Sequence, residues 1–298
     1  MMNPPNLRSV LDYLQFARDL FRKKEIPEAR LEAELLLSHA LGCDRVALYV
    51  RYDQPLTPDE TRRFGDLLRQ RGRRVPVQYI MGYRDFWKGR LAVEPGVLIP
   101  RPETECLIEE VLALHRGREA PRRIADVGTG SGAIAIALAG EFPEVEVWAG
   151  DIAEAPIRVA TANAASAGVA DRVHVLRARG LAPLFAAAGA PFDLVVSNPP
   201  YITAAAFATL QPEVREHEPV EALVAGADGL DVLRAIIDEL AAGDLLAPGG
   251  MALLEIGEAH QVEPVRAMLK DAGFGATHVR KDYADLPRII VGTDFRLG

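Results

Sequence analysis

Ile124-Ala125-Asp126-Val127-Gly128-Thr129-Gly130-Ser131-Gly132-Ala133 decides how this 298-residue chain is read. A short strand-like run enters a turn built on alternate glycines, and an alanine- and isoleucine-rich stretch of helical length follows. Glycine accepts positive φ and lets a ligand approach the backbone, while a helix start offers unpaired N–H groups. Downstream, apolar runs at 145–150, 172–178, 192–197 and 250–256 alternate with helical patterns at 133–141, 156–167 and 229–246. A helix at 261–273 and two candidate strands, 277–281 and 288–295, close the chain. Repeated βα units predict an α/β fold with a doubly wound, mostly parallel sheet of seven strands. Ligands of such a sheet bind beyond the carboxyl ends of its strands, at the switch point. Asp151 ends the second strand, placed to accept hydrogen bonds from ribose hydroxyls.

Upstream the texture is helical. Val10, Leu14, Ala17 and Phe21 form one apolar stripe, a second helix runs over 28–41, and Gly42 follows it as a left-handed terminator. Thr57-Pro58-Asp59-Glu60 is a capping box with proline at the first helical position, and its helix ends by Gly72. Residues 86–97, broken by Gly89, Pro95 and Gly96, read as a hairpin or connector, packed by Phe86 and Trp87. The organisation expected is a helical bundle over 1–85, the connector over 86–97 and the sheet domain over 98–298.

Composition narrows the class. Apolar residues at 49% and charged residues at 26% fit a globular domain. Cys43 and Cys106 are far apart and the six histidines are scattered, so neither a disulfide framework nor a metal site is expected. Residues 1–21 interleave charges with apolar positions, unlike a secretory segment, and no run reaches transmembrane length. A cytoplasmic protein with no membrane partner is expected. The net charge of −8 divides unevenly: residues 1–97 carry 17 basic against 13 acidic side chains, the remainder 17 against 29. An acidic main body argues against nucleic acid as partner. Arg69-Gln70-Arg71-Gly72-Arg73-Arg74 offers either a contact for an acidic partner or a solvated helix end.

The glycine turn alone leaves the cofactor open. Gly128-x-Gly130-x-x-Ala133 also fits a relaxed dinucleotide fingerprint, which keeps a nicotinamide dehydrogenase as rival. Asn198-Pro199-Pro200-Tyr201, at the end of the strand 192–197, discriminates. Two prolines stiffen the backbone and free its carbonyls. A carbonyl beside the Asn198 side-chain oxygen gives two acceptors for a planar NH₂ group, with the Tyr201 ring against its flat face. Holding both N–H bonds orients a poorly nucleophilic amide or aromatic amine towards a sulfonium methyl, and no strong base is required. A dehydrogenase has no use for this element.

Further stretches carry a resemblance over nearly the whole chain. They are Pro76-Val77-Gln78-Tyr79-Ile80-Met81-Gly82, Val97-Leu98-Ile99-Pro100-Arg101-Pro102-Glu103-Thr104-Glu105, His217-Glu218-Pro219-Val220-Glu221-Ala222-Leu223 and Gly229-Leu230-Asp231. With the glycine turn, Asp151 and the tetrapeptide, they resemble the bacterial N5-glutamine methyltransferases of class I peptide chain release factors. The resemblance implies methylation of the glutamine amide in a Gly-Gly-Gln motif, with S-adenosyl-L-methionine as donor and S-adenosyl-L-homocysteine as product. It implies cofactor contacts at Gly128, Thr129, Gly130, Ser131, Gly132, Asp151, Gly180 and Asn198. Asn198, Pro199, Pro200 and Tyr201 would hold the glutamine, with Asn198, Pro199 and Tyr201 at the chemistry, and the helical bundle would dock the release factor. One departure stands out: Arg179 occupies the place of an acid expected near the adenine, and arginine accepts no hydrogen bond. The adenine would then rest on apolar packing and main-chain groups.

Other charged residues are read more plainly. Arg101 and Glu103 either border the site or pair to anchor the connector, Glu216, Glu218 and Glu221 form a structural or solvated face, and Asp126 fixes the glycine turn. Two rivals remain: N-methylation of an exocyclic base amine in RNA or DNA, and a non-catalytic module that binds Gly-Gly-Gln loops.

Overall fold

The computed structural model describes residues 8–296. The reading of the first seven residues, and of the last two of the sheet domain, lies outside those described. The chain divides into two compact units.

The first unit takes the chain up to Gly82 together with Pro212–His217. Its helices are α1 (Val10–Lys23), α2 (Ala29–Leu41), α3 (Arg45–Val50), α4 (Pro58–Gly72) and α5 (Val77–Met81). Local signals set their ends: Ser9 and Thr57 form capping boxes with Asp12 and Glu60, and Gly42 terminates α2 at φ 63°. The buried face of α1 is Val10, Tyr13, Ala17 and Phe21; Leu14, expected in that stripe, is only half-buried. Tyr13 takes the place because its ring meets Phe64 edge-on at 6.3 Å and its hydroxyl shares a hydrogen bond with Thr61.

Two sequence expectations change here. The helical unit closes at Gly82, not 85, and incorporates a segment from the middle of the chain. The reason is electrostatic: Glu213 accepts from Arg71 at 2.6 Å and from Arg74 at 2.7 Å, and Arg71 also pairs with Glu32. Arg71 is 2% exposed, so the basic stretch 69–74 is neither a wholly solvated helix end nor a free cationic patch.

The second unit begins with a hairpin, β1 (Tyr83–Phe86) paired antiparallel to β2 (Gly89–Ala92). Buried Asn163 ties this hairpin to the glycine turn, bonding both backbone groups of Ala92 and the carbonyl of Ser131. Then come α6 (Glu105–Leu114), β3 (Arg123–Val127), α7 (Ala133–Glu141), β4 (Glu146–Asp151), α8 (Glu154–Ser166), β5 (Val173–Arg177), α9 (Ala182–Ala188) and β6 (Phe192–Ser197). Next are α10 (Ala204–Phe207), α11 (the Pro212–His217 helix of the first unit), α12 (Asp231–Ala242), β7 (Leu246–Glu255), α13 (Val262–Asp271), β8 (Phe274–Lys281) and β9 (Pro287–Phe295). The sheet order is β5-β4-β3-β6-β7-β9-β8, parallel throughout except that β9 runs against both its neighbours. The order reverses between β3 and β6, which places the switch point at their carboxyl ends. Both faces are covered by apolar clusters, so the central strands read as nearly unbroken apolar runs.

Candidate active site

At that switch point three glycines take positive φ: Gly128 at 76°, Gly130 at 58° and Gly132 at 84°. They serve different ends. A Cβ on Gly132 would meet Ile136 at 3.0 Å and Ala160 at 3.2 Å, so this glycine lets the turn pack on its helices. Around Gly128 and Gly130 a Cβ would meet nothing within 4 Å, leaving their backbone open to a ligand. The amides of Gly128 and Thr129 both donate to the Gly150 carbonyl, fastening the turn to β4.

Two carboxylates hold this turn. Asp126 is wholly buried, accepting from the Thr129 hydroxyl at 2.6 Å and the Ala135 amide at 3.2 Å, in the role expected of it. Burial, against these bonds, pushes its carboxyl up to about 7, and Oδ1 has no partner. Asp151 at the tip of β4 accepts from the amides of Gly130 and Ala153 at 3.1 Å each, and burial raises its pKa too.

A cavity of about 440 Å³ opens over the strand ends, within the roughly 300–1,000 Å³ usual for small-ligand sites. Of the predicted residues, Gly128, Gly130, Asp151, Gly180, Asn198, Pro199 and Pro200 line it. Thr129, Ser131, Gly132 and Tyr201 do not. Thr129 and Ser131 are buried within the turn, the Ser131 hydroxyl without a partner. A second depression, of about 680 Å³, lies at the amino ends of β3 and β4, among Glu119–Arg123 and Phe142–Glu146. It is away from the strand ends where ligands of such sheets bind.

The tetrapeptide is placed by its neighbours. The Ser197 hydroxyl donates to the Val127 carbonyl at 2.6 Å, locking the end of β6 beside the glycine turn. Beyond it, Gln261 donates to the Tyr201 carbonyl at 3.0 Å, and Ile202 bridges to Val224. The Asn198 amide donates its Nδ2 to the Thr104 hydroxyl at 3.0 Å, and its Oδ1 has no hydrogen-bond donor among the described residues. The Tyr201 ring packs so closely on Gly257 that a Cβ there would overlap it, and its hydroxyl donates to Glu255 at 3.3 Å. Burial first, then the Glu255 charge, drives the Tyr201 phenol well above its ordinary value.

Several contributors escaped the sequence reading. Glu255 is wholly buried at the end of β7, and burial lifts its carboxyl to about 7. Leu98 and Ile152 add apolar wall, and Glu221, read as a structural or solvated face, lines the cavity. Arg179 lines it as well, but a carboxylate does stand over the neighbouring glycine. Glu239 of α12 accepts from the Leu181 and Ala182 amides at 2.6 and 2.8 Å, and its Oε1 lies where a Gly180 Cβ would be. Arg101 pairs not with Glu103 but with buried Glu218 at 2.7 Å, whose other oxygen accepts from the Ile99 amide. No sequence signal could have named these partners, because each lies far along the chain.

The chain matches known families over both units. The PrmC N-terminal domain matches residues 12–82 and the methyltransferase small domain matches residues 104–214. The release factor glutamine methyltransferase of Geobacter sulfurreducens is 40% identical over 294 residues, 98% of this chain and 99% of its own. That of Chlorobaculum tepidum is 42% identical over 288 residues, 94% and 95% respectively. Among solved structures, the hMettl16 catalytic domain in complex with MAT2A 3′UTR hairpin 1 superposes with a TM-score of 0.54 at 16% identity. That match covers 82% of this chain and 84% of the other, and it supports the fold alone.

Proposed function

Because the chain belongs to the release factor glutamine methyltransferase family, we propose that it methylates the side-chain amide of the glutamine in the Gly-Gly-Gln motif of peptide chain release factors, class I factors in particular. The observation that carries the reading is the Asn198 oxygen, with no hydrogen-bond donor among the described residues, on the wall of the cavity that Gly128, Gly130 and Asp151 also line. S-adenosylmethionine supplies an electrophilic methyl when bound. The open backbone at Gly128 and Gly130 suits its close approach, and Asp151 would accept from its ribose. Thr129, Ser131 and Gly132 would shape the turn from within rather than touch the cofactor. Asn198 Oδ1 and the stiff carbonyl of Pro199 would accept the two N–H bonds of the glutamine amide, aligning its nitrogen for attack. Tyr201 would act from behind the wall, its hydroxyl bonded to Glu255.

The helical unit is assigned to docking the release factor. Leu11, Val46, Tyr49, Val50 and Tyr52 are exposed on it, Val46 at 70% and Val50 at 75%, more apolar surface than a solvated helix warrants. No helix among the described residues is long and apolar enough to cross a membrane. A cytoplasmic site of action fits a translation factor as substrate.

Incubation of the protein with release factor and methyl-labelled cofactor tests the assignment. Label is expected on the factor and lost when the motif's glutamine is replaced by alanine. Label surviving that replacement, or passing to RNA in preference, sinks the assignment, and the acidic sheet domain argues for the former partner.

A further inference from the structure

Adenine presents an exocyclic amine where guanine and hypoxanthine present a carbonyl, so a site that prefers adenine needs an acceptor at that place. The strand order says where the base falls. Asn198 follows β6, the glycine turn follows β3, Asp151 ends β4 and Ala178–Gly180 follow β5, and all four stretches line one cavity. In S-adenosylmethionine the sulfonium and the base leave the ribose at opposite ends. With the sulfonium on the Asn198 side of Asp151, the base lies on the other side, against the segment after β5. That segment has no side-chain acceptor. Ala178 and Gly180 carry no polar side chain, and Arg179, which is exposed, only donates.

An acceptor arrives from α12 instead. Val232, Ala235, Ile236 and Glu239 share one face of that helix and line the cavity, so an apolar wall ends on a single carboxyl. The two oxygens of Glu239 are treated differently. Oε2 accepts from the Leu181 and Ala182 amides, while Oε1 has no hydrogen-bond donor among the described residues. Oε1 stands so close over Gly180 that a Cβ there would overlap it. Glycine at 180 therefore gives the carboxyl its place on the wall, and two backbone amides fix its direction before any ligand arrives. We propose that Glu239 reads the cofactor's base, with Oε1 accepting from the adenine amine. This rests on the reading of the cavity as the nucleoside site with the ribose at Asp151. A carboxylate has no N–H to offer a purine carbonyl, so the same oxygen turns away a base with a carbonyl in the amine's place.

Calorimetry on the full chain tests this with S-adenosylhomocysteine and its inosine counterpart, in which a carbonyl replaces the amine. Wild type is expected to bind the adenosine compound about 10- to 100-fold more tightly, the range of a hydrogen bond to a charged group. In Glu239→Gln the side chain keeps an oxygen for the two amides and turns an NH₂ towards the base. It should weaken the adenosine compound and strengthen the inosine one, bringing their ratio to about one or below. A carboxyl that only caps α9 behaves otherwise: both compounds weaken together at an unchanged ratio, and that result overturns the proposal. Equal affinity of wild type for the two compounds overturns it as well. If Glu239→Gln does not fold, Glu239→Asp decides, because it keeps the charge but withdraws it by one methylene; an unchanged ratio there is again fatal. Wild type that binds neither compound removes the cofactor site and the proposal together. A release factor left unlabelled faults the proposed function alone and leaves the base preference standing.

Discussion

Two buried carboxyls of the sheet unit are handled in the opposite way from the buried carboxyls of the helical unit. In the helical unit, Glu34 is 3% exposed but bonded by Arg30, Arg45 and Tyr49, and Arg71 lies between Glu32 and Glu213. Burial alone would raise the carboxyls of Glu34 and Glu213, yet their partners draw both below the ordinary range. In the sheet unit, Asp126 and Glu255 are wholly buried with no arginine or lysine bonded to them, and both titrate at about 7. Each also keeps one oxygen without a partner. Neutralised charge makes a scaffold; unneutralised charge costs stability and is tolerated where hydroxyls and amides must be oriented at a site.

The contrast can be broken first at its strongest point. Arg71→Ala strips Glu32 and Glu213 of their shared cation and makes the helical unit resemble the sheet unit. Chemical denaturation should register a loss of roughly 3–5 kcal/mol, the usual cost of removing one partner from a buried bridge. A loss much below that range would show that water reaches the carboxylates.

Next comes the site itself. Asn198→Ala should lower turnover by about 10²–10³-fold, with cofactor binding followed separately by calorimetry. A variant retaining most of its turnover would remove Asn198 from the chemistry.

A third experiment sharpens the comparison through pH. The folded state holds a proton on Glu255 between its ordinary value of 4.5 and about 7, where the unfolded chain has released it. That proton contributes stability which is lost as pH rises through about 7. Glu255→Gln, neutral at every pH, should therefore melt above wild type in alkaline buffer and close to it in acid. The alkaline difference should be several degrees, because a rise from 4.5 to about 7 is worth on the order of 3 kcal/mol and each kcal/mol moves the midpoint by about 2–4 °C. An equal difference at both ends of the range contradicts an ionisable buried carboxyl.

The smallest effect is the control. Arg122 and Glu119 form an exposed pair, at 77% and 79%. Arg122→Ala should move the melting midpoint by about 2 °C at most.

Much of this was legible in the residues. Ranges for α4, β3, α7 and β6 follow from apolar periodicity, the Thr57 capping box and the glycine turn, all of which act within a few residues of chain. Less was legible where packing decides. The six residues of α11 carry no periodicity long enough to read, and their membership of the helical unit depends on Glu213 finding Arg71, 142 positions away. Tyr201, expected against the substrate's flat face, has a partner that no periodicity could give, Glu255, 54 positions on.

By itself, then, the sequence determined which backbone conformations are allowed and which chemistry is on offer: glycines where φ is positive, prolines that stiffen Asn198, strands and helices in alternation. Tertiary structure alone decided the partners, among them Thr104 for Asn198, Glu239 over Gly180 and Glu218 for Arg101. The physical reason is range. Backbone propensity acts between neighbours in the chain, whereas hydrogen bonds and desolvation act between neighbours in space, and only the fold says who those are.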